Sequence, residues 1–288
     1  MAVLGLLVWR LSDIGWTELW DAAPTAPLFY ISFLLFYLSL PLSEVVIYGR
    51  IWGRPLWRRT GVFLRKRVYN FGVLGYSGEA YFGLWARKAL NLPPGAVFAA
   101  VKDVNILSAL AANGVTLVLV AAFFASGQWA VVTAAQPELT PYLFAVGVIG
   151  VALTLGGLAL QRFWLSMERV QALEVFGWHV VRLVLGFAFQ IGQWASATPE
   201  VPLSTWLIFL TALMLISRAP FLPNKDLVFL SVGLVLAGGV AAPEVEVAAM
   251  LTVSAALAQI ANVVVYFATV FSSRVPEGDP PRKASSHG

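Results

Sequence analysis

The chain has 288 residues, 59 % hydrophobic and 12 % charged, against about 45–50 % and about 25 % in soluble proteins. That balance excludes a soluble enzyme and predicts an all-α, polytopic integral membrane helical bundle of about seven to eight spans with short loops. With no cysteine, two histidines and a formal charge of +4, disulfides, thiolate chemistry and a histidine-rich metal site are excluded. No cofactor is expected, and the basic residues read as marking a cytoplasmic face and its anionic lipids rather than nucleic acid.

Residues 1–26 begin with a short apolar run and continue with Trp9, Trp16 and Trp20 among acidic residues. Eight apolar residues cannot cross about 30 Å of hydrocarbon, and no small-residue cleavage site follows, so this segment is expected to lie in the external interface, with a truncated first span left open. Residues 27–48 form the first full span. The cations that follow, among them Arg58, Arg59, Arg65, Lys66 and Arg67, place its end in the cytoplasm and with Arg87 form a rim that attracts headgroups.

Residues 68–90 are apolar but broken by Gly72, Gly75, Gly78 and Gly83, and they carry cations at both ends. The pattern predicts a re-entrant hairpin or broken helix, the alternative being a tilted span with glycines for packing. Further spans are expected at 97–125, 142–160, 176–195, 203–217, 227–242 and 247–271. Residues 27–273 thus make the transmembrane domain, and 274–288, rich in Pro, Ser and charge, a disordered cytoplasmic tail. A weak internal repeat is legible as well. The polar knuckle at 75–79, its Pro turn and long span are echoed by a knuckle at 220–226, a turn at Pro243 and the last span.

Three polar stripes run along otherwise apolar spans. Lys102, Asn105, Ala109, Asn113 and Thr116 share one helical face, as do His179, Arg182, Gly186, Gln190 and Gln193, and a third comprises Gln259, Asn262 and Tyr266. Ionisable groups cost at least about 2.5 kcal/mol at a helix centre, so the stripes suit a hydrated path, although Asn and Gln also serve as interhelical hydrogen-bonding groups. Glu79 is the sharpest single candidate. It needs a cationic partner, for which Arg87, Lys102 and Arg182 are the expected choices, and it reads either as a cavity group or as a buried ion pair. Lys102 and Asp103 point about 100° apart, so each implies a neighbour elsewhere. No P-loop, His-Glu-x-x-His or Gly-x-Ser-x-Gly frame occurs.

The segment 13–20, the run from Asn70 to Arg87 with Gly78-Glu79 at its centre, the helix start Lys102-Asp103-Val104-Asn105 and the late knuckle at 218–223 together resemble the flippase-like transmembrane domain of lysylphosphatidylglycerol synthases. A proline before the Gly-Glu pair and a glycine-rich late knuckle are missing, and so is the aminoacyl-transferase domain. The resemblance implies a stand-alone lipid-translocating or lipid-handling protein of the bacterial cytoplasmic membrane, more plausibly not an enzyme. Its substrate path would comprise Glu79, Lys102, Asp103, Asn105, Asn113, His179, Arg182, Gln190, Gln193 and Asn262. Its expected partners are membrane lipids, anionic ones first, with a homo- or hetero-oligomer left open. A membrane-embedded enzyme on a lipid-linked substrate and a non-catalytic subunit of a membrane complex are the alternatives.

Overall fold

The computed structural model describes residues 15–72, 75–135, 165–218, 225–239 and 243–272, with isolated positions between 141 and 156. Helix is the only regular structure among them. The helices are α1 (Trp16–Asp21), α2 (Pro27–Ile51), α3 (Thr60–Gly72), α4 (Ser77–Ala89), α5 (Pro94–Ala125), α6 (Gln128–Ala135), α7 (Arg169–Ala197), α8 (Leu203–Arg218), α9 (Lys225–Gly239) and α10 (Glu244–Ser272), with a 3₁₀ turn at Trp57–Arg59. A backbone that meets lipid must satisfy its own hydrogen bonds, and the helix does so within one segment.

Four helices are long and apolar enough to cross a membrane: α2, α5, α7 and residues Glu244–Phe271 of α10. At about 1.5 Å per residue, α3 and α4 each reach only about 20 Å, and α8 and α9 reach about 24 and 22 Å, short of a 30 Å core. The expected span at 142–160, the knuckle at 220–224, the N-terminal run and the C-terminal tail lie outside the described residues. Residues 126–141, expected as a loop, include α6, and α7 begins seven residues before the predicted span because its amphipathic first two turns continue the helix beyond the apolar stretch.

Directions follow from the contacts. Arg50 at the end of α2 pairs with Glu174 at the start of α7, while Gly186 faces Phe36 and Gly192 faces Ser32, so α2 and α7 are antiparallel. The start of α5 lies beside the start of α7, joined by Asp103 to Ser166 and Met167, so these two run together. Gln193 bonds Ser254, and Tyr37 bonds Asn262, which makes α10 parallel to α2. The ends of α2 and α10 and the starts of α5 and α7 therefore share one face of the bundle. It carries Arg50, Arg54, Arg58, Arg59, Arg87, Lys88 and Arg169, whereas the opposite face carries Glu18, Asp21, Glu200, Glu244 and Glu246.

The short helices pair off. α3 and α4 pack on each other and connect the end of α2 to the start of α5, so they enter and leave the bundle at its cationic face. α8 and α9 connect the end of α7 to the start of α10, and so enter and leave at the acidic face. α3 packs against α10 and α8 against α5. The order long, short, short, long thus occurs twice, in opposite directions. Two cores follow the same division. One, around Tyr48, Phe63, Phe82, Val104 and Val175, lies under α3 and α4. The other, around Trp194, Trp206, Phe209, Phe229 and Met250, lies under α8 and α9.

Candidate functional site

The charged residues converge where α2, α3 and α4 meet. Phe63, Lys66 and Asn70 recur at helical spacing and face inward from α3, with Phe63 0 % and Lys66 1 % exposed. The Lys66 ammonium lies 2.6 Å from Glu44 Oε1 of α2 and 3.5 Å from Glu79 Oε1 of α4. The rings of Tyr48 and Phe82 enclose it, with centroids 5.5 and 5.4 Å away, so its charge is also stabilised by aromatic faces.

Asn70 ties the two short helices together. Its side-chain amide donates to Glu79 Oε1 at 3.1 Å, and its carbonyl oxygen accepts the Gly78 N–H at 2.8 Å. The Ser77 hydroxyl donates to the Tyr69 carbonyl. The backbones approach so closely that a Cβ on Gly78 would lie 2.2 Å from the Lys66 carbonyl oxygen. Only glycine fits there. Tyr76, with φ at 67°, turns the chain into α4, whose first turn holds Glu79 where the helix dipole favours a carboxylate.

Glu79 therefore has a cationic partner, but it is Lys66 and none of Arg87, Lys102 or Arg182. Arg87 is exposed. Lys102 donates to Ser166 at 2.7 Å and lies 3.2 Å from Asp103, because its flexible stem folds back across the 100° between neighbouring Cβ directions. The two are in range of each other, and each also has the neighbour elsewhere that its direction implies. Asp103, 1 % exposed, uses its other oxygen to accept the Ser166 and Met167 N–H groups at 2.8 Å, fixing the approach to α7. Arg182 donates to Ser108 of α5 at 3.4 Å.

Some members of the stripes tie helices together. Gln190 donates to Gln193, which donates to Ser254 of α10, and Asn262 accepts from Tyr37 of α2. His179 is 1 % exposed. Asn105 and Asn113 are half-buried, and Gln259 and Tyr266 are exposed. Of the expected cationic rim, Arg58, Arg59 and Arg87 are exposed. Lys66 turns inward, Arg65 bonds Thr269 of α10 and Arg67 stacks over Tyr37 and Phe71.

Sequence reasoning missed Glu44, the only carboxylate inside the first apolar span, although an ionisable group there is itself a signal. It also missed an open groove of about 450 Å³ at the cationic face. This groove is lined by Arg50, Arg54, Trp57 and Trp178 beside Gly49 and Gly53. Among the described residues no group of His, Cys, Asp or Glu could hold a metal ion. No family model, curated protein or solved structure matches the chain.

Proposed function

We propose that this is an integral membrane protein that handles or translocates lipid, with α3 and α4 forming a re-entrant hairpin that lines a headgroup path. The observation that supports the reading is the two pairs of short helices, α3 with α4 and α8 with α9, that join long helices at opposite faces, one pair built around buried charge. Arg67 of α3 stacks on Tyr37, fourteen residues before the end of α2, so the hairpin reaches about 20 Å into the bundle. Broken helices in corresponding positions of two inverted halves are the usual setting of a transport site near the bilayer midplane. With α8, α9 and residues 142–160 counted, the expectation of seven to eight membrane segments belongs to this proposal, as does a cytoplasmic cationic face.

The groove supports lipid as the cargo. Guanidinium groups of Arg50 and Arg54 beside the indoles of Trp57 and Trp178 combine anion attraction with the aromatic character of the headgroup region. The likeness to the lysylphosphatidylglycerol synthase membrane domain belongs to the same reading.

The test is translocation of headgroup-labelled anionic and zwitterionic lipids in proteoliposomes, for wild type beside Glu79→Ala and Arg182→Ala. Movement above empty vesicles, lost in both folded variants, is the expected result. Absence of movement for every lipid and gradient would remove the proposal.

A further inference from the structure

We propose that Glu44, Lys66 and Glu79 form a binding site for one exchangeable monovalent cation, either a proton or a sodium ion. The inference deepens the translocation reading by supplying its coupling ion, and its test does not depend on lipid movement. Two carboxyl groups face one ammonium: Glu44 at 2.6 Å and Glu79 at the looser 3.5 Å. Side-chain exposures of 1 % for Lys66, 11 % for Glu44 and 14 % for Glu79 leave little solvent to screen the imbalance. An uncompensated buried charge is strongly unfavourable, and one further positive charge balances the cluster.

The geometry shows where that charge would go. Glu79 Oε1 is engaged by Asn70 and Lys66, but Oε2 is buried and has no hydrogen-bond partner. The Tyr48 hydroxyl, on a residue 0 % exposed, is also without one, and Tyr48 stands within electrostatic range of Lys66, Glu44 and Glu79. Unsatisfied buried oxygens around a single ammonium are what a proton or a small hard cation would complete.

The surrounding charges are otherwise engaged. On α3, Arg65 bonds Thr269 and Arg67 stacks over Tyr37 and Phe71. From α7, His179 lies within electrostatic range of Lys66, and Arg182 donates to Ser108. On α5, Lys102 and Asp103 hold the segment at Ser166, and α10 contributes Tyr266 against Tyr69. Because Glu79 and Asn70 clasp α3 to α4, occupation of the site bears directly on how the hairpin is held.

The full chain in detergent would be unfolded thermally across a sodium series at constant ionic strength, choline replacing sodium, and across pH 5–9 without sodium. Glu79→Gln would be compared with a Glu246→Gln control on the acidic face. For sodium, a saturable rise of about 3–5 °C at tenfold excess over the dissociation constant is expected. For a proton, the midpoint is flat in sodium and varies with pH. In either arm the dependence disappears in Glu79→Gln and persists in Glu246→Gln. The same dependence in wild type and Glu79→Gln, or none in wild type, overturns the proposal. Carbodiimide labelling of wild-type Glu79, read by mass spectrometry, avoids any folding defect in the variant. Protection by sodium or by raised pH supports the site, and labelling indifferent to both refutes it. Cation dependence without lipid movement would leave the site standing and remove the translocation reading alone.

Discussion

The two hairpins have the same outline and are held by different physics. Around α3 and α4, packing centres on a buried ammonium with two carboxylates and an amide clasp. Around α8 and α9 it centres on Trp194, Trp206, Phe209 and Phe229, whose rings stack, tilt or meet edge to face with centroids within 6.4 Å. In an aromatic cluster edge-to-face and offset-stacked rings are preferred, each pair contributing only about 0.5–1.5 kcal/mol beyond its burial. An ion cluster has one satisfied arrangement and penalises every other. The first pair of helices is thus held by a balance of charges and its counterpart by ring contacts.

The largest effect is expected from Lys66→Met, which leaves two carboxylates facing each other and costs about 3–5 kcal/mol of unfolding free energy in detergent. Trp206→Ala costs a similar about 3–5 kcal/mol through a cavity, but adding Glu79→Gln restores stability only to the Lys66 variant. A loss under about 1 kcal/mol for Lys66→Met would abolish the distinction between the hairpins. Next come two glycines that sharpen it. Gly78→Ala drives a methyl into the Lys66 carbonyl and should cost about 1–3 kcal/mol or more. Gly233→Ala meets only the tip of Leu251 at 2.5 Å, which can rotate away, so its thermal shift should be smaller. Equal shifts would show that α3 and α4 can separate freely.

Smaller still is Gln193→Leu, which breaks the tie to Ser254 and should cost about 0.6 kcal/mol. Loss of more than twice that would give the polar stripe of α7 a role beyond tying helices. At the bottom of the scale, Arg50→Ala removes a pair that is 57 % and 40 % exposed and should change stability by no more than about 0.5 kcal/mol, less in high salt.

Much of the helical layout was legible because lipid leaves few alternatives: long apolar runs predict α2, α5, α7 and α10 to within a few residues at most ends. The division between α3 and α4 was legible from the glycines around it, and Glu79 from its setting. The partner of Glu79 was not. Lys66 sits between Arg65 and Arg67, and a run of cations reads as a rim unless the helical phase is applied, which places Lys66 with Phe63 and Asn70 on the buried face. Glu44 was hidden by proximity to the basic run that follows it. The spacing on α5, α7 and α10 suggests faces, but one-dimensional spacing cannot tell whether such faces meet one another or different neighbours, and on α10 Asn262 is buried while Gln259 and Tyr266 are exposed.

The close approach at Gly78 also has a mechanical meaning. With backbones nearly touching and Asn70 bridging them, α3 and α4 form one stiff lever. Motion of either arm passes to the other, and bending is displaced to the joints outside. At one such joint Asn91 holds a φ of 52° just ahead of the prolines that start α5. A force applied at the buried charges would therefore be felt at the start of α5, more than ten residues away in the chain.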